Sequence, residues 1–374
     1  MVVTFVVDMY DELSNGIIIS AKRYVDRLRM RGHEVRVVAS GDVDDPCFYR
    51  VKKRYIPLVS EVAKLQSVTF GRAEADVLGR ALDGAGVVHL MQPFKLEKAA
   101  GLMALERGIP VIAGFHIQPE NFIYNIKVIP FAGAADIFYK QFHRQFYRYF
   151  DDIHCPSQFI ADELKAHGYR QNLHVISNGV DDRFQKLPDI PRPENFRVLM
   201  IGRLSPEKRQ DLIIRAAAKS RYQKRIRLIF AGKGPEENRY RRLARKLGVT
   251  AEFAFYPTEK LVRLINSCSL YVHASDVDVE AISCLEAVSC GLVPVISDSR
   301  LSATKQFALT PHSLFKAGSA DDLQQKMDWW LSHEKEREKY SPRYCALGET
   351  YRVDYMLDRM EQVYADMMAR SAKQ

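Results

Sequence analysis

The sequence predicts an α/β protein made of two doubly wound lobes. Short apolar runs of strand length alternate with stretches of helical periodicity along the whole chain, and this alternation breaks once, near residue 180, before starting again. The chain has 374 residues, 47% of them apolar, and single cores usually stop growing at about 250–300 residues. Strands separated by helices of ten or more residues require crossover connections, hence parallel sheets covered on both faces.

The first lobe opens with an apolar strand at 2–8, a helix at 17–31 and a second strand at 34–39. Further strands are predicted at 86–91 and 109–115 around a helix at 95–107, then a strand at 153–156, a helix at 158–167 and a strand at 174–177. Asn178-Gly179 turns the chain, and 181–195, with Pro188, Pro191 and Pro193 and no periodicity, reads as a linker. The pattern resumes with strands at 197–201, 226–231, 252–256, 270–273 and 293–296, and with helices at 209–219, 236–247, 280–290 and 320–331. A last amphipathic helix, 354–370, need not pack on the lobe before it. The expected division is 1–180, a linker at 181–195, 196–350, and a terminal segment 351–374 that crosses back to the first lobe.

Composition narrows the function. No run approaches the roughly 18 uncharged apolar residues of a membrane span, and the N-terminus does not read as an export signal. The six cysteines are scattered, with no CxxC pair and no histidine at zinc-finger spacing, so the expectation is reduced thiols in a cytoplasmic protein and no metal. The formal charge of +9 points to an anionic partner. Residues 1–180 carry 22 Lys+Arg against 20 Asp+Glu, and the rest 33 against 26, so most of the excess lies in the second lobe.

In open α/β sheets ligands sit at the carboxyl ends of strands, beside helix N-termini that attract phosphate. The first such loop of lobe two, IGRLSPEKRQDL, puts Gly202 and Arg203 just after a strand and Lys208 just before a helix, a candidate diphosphate clamp. The next strand ends in a turn with Gly232, Lys233 and Gly234, which permits close backbone approach; it is neither a P-loop nor GxGxxG, and taken alone it is better explained as a plain tight turn that starts the next helix. The strongest signal is ASDVDVEAISCLEAVSCGLVPVIS at 274–297. There Ile282, Ser283 and Glu286 share a helix face, so that amides can meet phosphate while a carboxylate grips a ribose diol, and Asp278 or Glu280 is placed for sugar hydroxyls. The plainer reading is an acidic helix start supported by the helix dipole.

Four segments in this order, SNGVDDRF (177–184), GRLSPEKRQDLIIRAAA (202–218), FAGKGPEEN (230–238) and DVDVEAISCLEAVSCGLVPVIS (276–297), resemble family 4 of the retaining glycosyltransferases. The resemblance implies the GT-B fold, two Rossmann-like domains facing a central cleft. It implies that Arg203 and Lys208 hold the donor diphosphate in place of a metal, that Glu286 binds the ribose, and that no cofactor is needed beyond the nucleotide sugar. The first acid of the family's Glu-x7-Glu pattern falls at Asp278, one methylene short, which sets its carboxylate back by about 1.5 Å. Many members carry an aromatic-Gly pair where this chain has Glu280-Ala281. In lobe one, His116 of AGFHIQPENF matches a histidine near the transferred sugar, and Gly16 of LSNGI a glycine that opens the acceptor side. His116, Arg203, Lys208 and Asp278 are thus the candidate catalytic residues.

Similarity to bacterial diacylglycerol and polysaccharide glycosyltransferases implies a hexose moved from a nucleotide-diphosphate sugar, UDP favoured, to a lipid or glycan acceptor. The segment 137–150, with Phe138, Phe142, Phe146 and Tyr149 on one helical face and Lys140, Arg144 and Arg148 elsewhere, is a candidate peripheral contact with the inner face of the cell membrane, or else a core helix. Two other readings compete. One is a UDP-sugar 2-epimerase of the same fold, which the GRLSPEK and DVDVE loops fit less well. The other is a nucleic-acid surface on the basic runs 221–227 and 239–246, which match no known module, so no nucleic acid is expected.

Overall fold

A computed structural model describes residues 1–11, 16–55, 69–126, 133–191 and 193–373. The chain divides into two compact units: Met1–Pro119, Val128–Asn178 and Met356–Gln374 form the first, Glu120–Lys127 and Gly179–Tyr355 the second.

The first unit is built on seven parallel strands: β1 (Val2–Met9), β2 (Glu34–Ser40), β3 (Phe48–Arg50), and, beyond the short antiparallel pair β4 (Lys53–Arg54) and β5 (Phe70–Gly71), β6 (Val87–Leu90), β7 (Val111–Gly114), β8 (Asp152–Cys155) and β9 (Asn172–Val175). Their order is β3-β2-β1-β6-β7-β8-β9. β1 is buried from Val3 to Met9 without alternation, the mark of a strand covered on both faces. The order reverses between β1 and β6, where one ligand-binding crevice of a doubly wound sheet falls.

The second unit repeats the plan with β10 (Phe196–Ile201), β11 (Ile226–Ala231), β12 (Ala251–Ala254), β13 (Leu270–His273), β15 (Pro294–Ser297) and β17 (Leu314–Phe315) in the order β12-β11-β10-β13-β15-β17. A separate small pair, β14 (Val277–Asp278) with β16 (Leu301–Ser302), sets Asp278 opposite Ser302. Here the reversal falls between β10 and β13, so the loops that follow these two strands become neighbours.

Element ends move by a few residues from the expected ones, three differences matter, and the last helix packs where it was expected to. The expected linker does not run free: Phe184 is buried in the second core, the Leu187 N–H donates to Asn266 Oδ1 at 2.8 Å, and Arg352 Nη1 donates to the carbonyl of Phe184 at 3.0 Å. Its apolar residues pack as any loop anchors would. A helix at Glu334–Glu349, unmarked by periodicity because Pro342 and many charges obscure it, packs on the helix Ile282–Ser289 so closely that a Cβ on Gly348 would stand 2.3 Å from Ser289 Oγ. The helix 119–126 is grouped with the second unit although it follows β7 in sequence. The last helix, Val353–Ser371, joins the first unit from Met356, where Arg370 pairs with Asp152 at 2.8 Å, Arg31 with Glu361 at 2.6 Å, and the Tyr364 hydroxyl lies 2.6 Å from His89 Nδ1.

The aromatic segment of the first unit forms a helix only at Ala134–Gln145, followed by a 3-10 turn at Tyr147–Tyr149. Phe146 is buried, while Phe138, Phe142 and Tyr149 are half-buried and Ile137 is 53% exposed. No helix among the described residues is long and apolar enough to cross a membrane.

Candidate functional site

The loop after β10 and the loop after β13 are stitched together. The Asp276 N–H donates to the carbonyl of Glu207 at 2.8 Å, and Arg209 Nη1 donates to Asp276 Oδ2 at 2.7 Å. The Tyr124 hydroxyl, brought in by helix 119–126, donates to the same oxygen. Arg209 stands in the left-handed region (φ 53°) just ahead of the helix Gln210–Lys219, so the 3-10 turn Pro206–Lys208 swings Lys208 toward the second loop. There Lys208 Nζ donates to Asp278 Oδ2 at 2.6 Å, and His273 Nε2, at the end of β13, donates to the same oxygen at 2.9 Å. The Tyr271 hydroxyl stands 3.2 Å from both His273 Nδ1 and Ser283 Oγ. A chain of polar contacts thus runs from the helix Ile282–Ser289 to the Lys208 ammonium.

Burial opposes ionisation of Asp278, but the Lys208 charge and the His273 hydrogen bond outweigh it and hold the carboxyl well below the usual carboxylate range. Burial pushes the Tyr271 hydroxyl far up, with Asp278 and Glu286 adding to the effect, so this phenol lies within the field of both acids and stays neutral. Removing His273 would strip Asp278 Oδ2 of one of its two side-chain donors, Lys208 being the other. His273→Leu is therefore expected to destabilise the fold by about 1–3 kcal/mol, while His273→Gln, which keeps a donor at that reach, restores most of the loss; melting temperature reads the split.

The glycines of this region have a different reason to be there than phosphate contact. A Cβ on Gly232 would stand 2.0 Å from the Gly202 carbonyl oxygen, and one on Gly234 would stand 2.3 Å from that of Leu204. The turn after β11 lies directly against the turn after β10, fastened by Gly202 N–H to Ala231 O and Leu204 N–H to Lys233 O, each 3.0 Å. Gly202 itself adopts φ 147°, open to glycine and strained for other residues. Lys233 is exposed and leans over the Phe255 ring at 5.8 Å.

Arg203 is half-buried in the same loop as Lys208, its carbonyl accepting from Gln210 Nε2 at 2.8 Å. Ile282, Ser283 and Glu286 lie on the helix Ile282–Ser289, half-buried, and Glu280 is 1% exposed. Ala281 caps that helix at φ 63°, a conformation natural to glycine and costing another residue about 1–2 kcal/mol. Alanine fills this place with the smallest side chain that has a Cβ, where many members of the family carry glycine.

Gly16 and His116 belong to the first unit. Gly16 opens the helix Gly16–Met30 with nothing within 4 Å of a built Cβ. His116, two residues past β7, is 7% exposed, its ring edge-on to His154 at 5.0 Å between centroids, with Nε2 sealed from solvent. Burial first, then His154, hold its pKa well below the ordinary value, so the ring is neutral. Also in this unit, a cavity of about 490 Å³ opens at the β1–β6 reversal, lined by Asp8 and by Phe70, Phe94 and Phe142 with Arg54 and Lys98.

Sequence reasoning missed His273, Tyr271, Arg209, Asp276 and Tyr124. A histidine closing the strand before the acid-rich loop was the available signal for the first; the others are recognisable only once the two loops are seen to touch.

Two family models cover the chain in succession: "Glycosyltransferase Family 4" over residues 14–184 and "Glycosyl transferases group 1" over 182–344. A GDP-mannose-dependent alpha-mannosyltransferase of Mycobacterium tuberculosis is 27% identical over 93% of both chains. An alpha-monoglucosyldiacylglycerol synthase of Streptococcus pneumoniae is 23% identical over 75% of this chain and 68% of that protein. Among solved structures, a sucrose-phosphate synthase from Thermosynechococcus elongatus superposes with a TM-score of 0.80 at 15% identity, covering 99% of each chain.

Proposed function

The chain belongs to glycosyltransferase family 4 and has its GT-B fold, and from that premise we propose that it transfers a hexose, with retention of configuration, from a nucleoside diphosphate sugar to a lipid acceptor. The observation that carries this reading is the meeting of Lys208 and Asp278 at 2.6 Å where the second sheet reverses. A cation placed between an incoming diphosphate and a sugar-side carboxylate can serve both. Lys208, with Arg203 one turn of loop away, stabilises the charge that develops on the departing diphosphate, and amides near Ile282 and Ser283 add fixed donors. Asp278 takes sugar hydroxyls and Glu286 the ribose diol. In front-face transfer the leaving diphosphate oxygen removes the acceptor proton, so the protein chiefly stabilises charge.

Cations do the work of a donor-site metal in this reading. The lipid acceptor is supported by the name of the streptococcal relative and by the aromatic and cationic lining of the first-unit cavity, suited to an amphiphile. Ile137, exposed beside Lys140 and Arg144, supports a peripheral membrane contact of the same unit.

UDP is the expected donor nucleotide; GDP, named in the mannosyltransferase relative, is the alternative. Thermal unfolding with UDP, GDP and ADP in parallel separates them, since a ligand at 100 times its Kd adds about 2.7 kcal/mol. UDP should give the largest upward shift. Equal or absent shifts with all three would remove the donor site from the account.

A further inference from the structure

At the reversal of the first sheet, where a doubly wound sheet binds its ligands, β1 brings in a carboxylate with a spare oxygen. Asp8 is 1% exposed and yet lines the cavity of about 490 Å³ that opens there. Its main chain is fixed by Ser40, whose Oγ donates to the Asp8 carbonyl at 2.6 Å. Its side chain is held on one edge only: Oδ1 accepts from the Gly71 N–H at 2.6 Å, and Oδ2 has no hydrogen-bond partner. A Cβ at Gly71 would stand 2.7 Å from Leu96 Cδ2, so glycine is what brings that amide so close. A buried carboxylate oxygen left without a partner is costly, and a ligand that supplies a donor relieves the cost.

The rest of the cavity limits what that ligand is. Phe70 and Phe94 meet edge to face at 5.2 Å and, with Phe142 and Phe146, make an aromatic wall. Two cations of the lining are already engaged: Lys98 Nζ lies over the Tyr149 ring at 4.4 Å, and the Arg54 charge acts on Asp8. Burial outweighs both the Gly71 N–H and Arg54 and pushes the Asp8 carboxyl up to about 7. Glu97, fully buried in the first turn of the helix Lys95–Glu106, is held well above the usual carboxylate range by burial and then by the Asp8 charge. Glu97 therefore stays neutral, and the single negative charge of the two acids falls on Asp8. Aromatic rings suit an apolar body, and a hydroxyl is the group that donates to the spare oxygen without bringing charge.

We propose that Asp8 binds the acceptor, its Oδ2 accepting a hydrogen bond from the hydroxyl of an alcohol carried on an apolar body. The inference rests on the acceptor reading above and narrows it to uncharged alcohols. A glycan would need many more polar partners than this wall offers, and an anionic headgroup would meet the Asp8 charge. Asp8 acts when the acceptor docks; the charge on the departing diphosphate remains the business of Lys208.

Three small probes of similar size test it. Full-length protein is titrated calorimetrically at about pH 8, where Asp8 is ionised, with 1-octanol, with its isomer 1-methoxyheptane, which lacks the donor hydrogen, and with octanoate. 1-Octanol should bind about tenfold or more tightly than either of the others, since a site built to bond a hydroxyl rejects an analogue without one. In Asp8→Asn, whose amide donates to an ether oxygen as readily as to an alcohol, the preference over the ether should vanish. Equal affinity of wild-type protein for alcohol and ether, or binding of neither, overturns the proposal. Tighter binding of octanoate overturns it too, and gives the cavity to an anion held by Arg54 and Lys98. A preference that survives Asp8→Asn removes Asp8 from the role. Should that variant not fold, the wild-type ratio alone decides. Stabilisation by UDP is read on the same samples. A protein that responds to UDP and ignores the hydroxyl loses this inference alone, whereas a hydroxyl preference without a UDP response keeps it and removes the donor site.

Discussion

Replacing Lys208 with alanine is expected to lower donor turnover by about a hundredfold or more. The ammonium faces Asp278 at 2.6 Å with a side chain only 19% exposed, so its charge acts in a medium where little water screens it. A preorganised donor aimed at developing leaving-group charge is worth about 3–4 kcal/mol when removed. The substitution also leaves the Asp278 carboxylate beside an incoming diphosphate, with the His273 ring still donating to Oδ2. Both the chemical step and donor affinity should fall, read as a lower kcat together with a higher KM for the nucleotide sugar. Unchanged kcat in a folded Lys208→Ala protein would refute the clamp.

Gly232→Ala should be nearly as damaging without touching any charge. The added methyl would lie 2.0 Å from the Gly202 carbonyl oxygen, a backbone atom that no rotamer change can move aside. To make room, the turn after β10 must leave the turn after β11, and the bonds from Gly202 N–H to Ala231 O and from Leu204 N–H to Lys233 O are lost or bent. Arg203 lies between those two anchor points. We expect donor affinity to drop at least tenfold, with a melting temperature lower by several degrees, measured by nucleotide titration and thermal unfolding. Wild-type affinity for UDP in this variant would mean that the two turns are independent.

Much of this site could be read before any coordinates existed, for a definite reason. Lys208 and Asp278 each follow a strand closely in sequence, and in a doubly wound sheet the end of a strand is a place as well as a position. What the sequence could not carry is which strands are neighbours. His273, Asp276 and Arg209 acquire their meaning only because β10 lies beside β13, and His89, His116 and His154 of the first sheet, 27 and 38 residues apart, meet only because β6, β7 and β8 are consecutive in space. Likewise 181–195 looked like a tether because prolines break periodicity, yet Phe184 alone suffices to fasten it. Helix Glu334–Glu349 was hidden by its polarity, since it buries few residues, among them Tyr344 and Gly348.

Each half of the molecule is completed by chain that is remote in the gene order. The first unit takes its closing helix from the far end of the polypeptide, where Arg370, Glu361 and Tyr364 meet Asp152, Arg31 and His89. The second borrows a helix encoded among the strands of the first, where Tyr124 reaches Asp276. No single peptide-bond scission can therefore release two intact modules. A ribosome finishing residue 178 has made a sheet that must wait for nearly two hundred further residues before its last helix arrives.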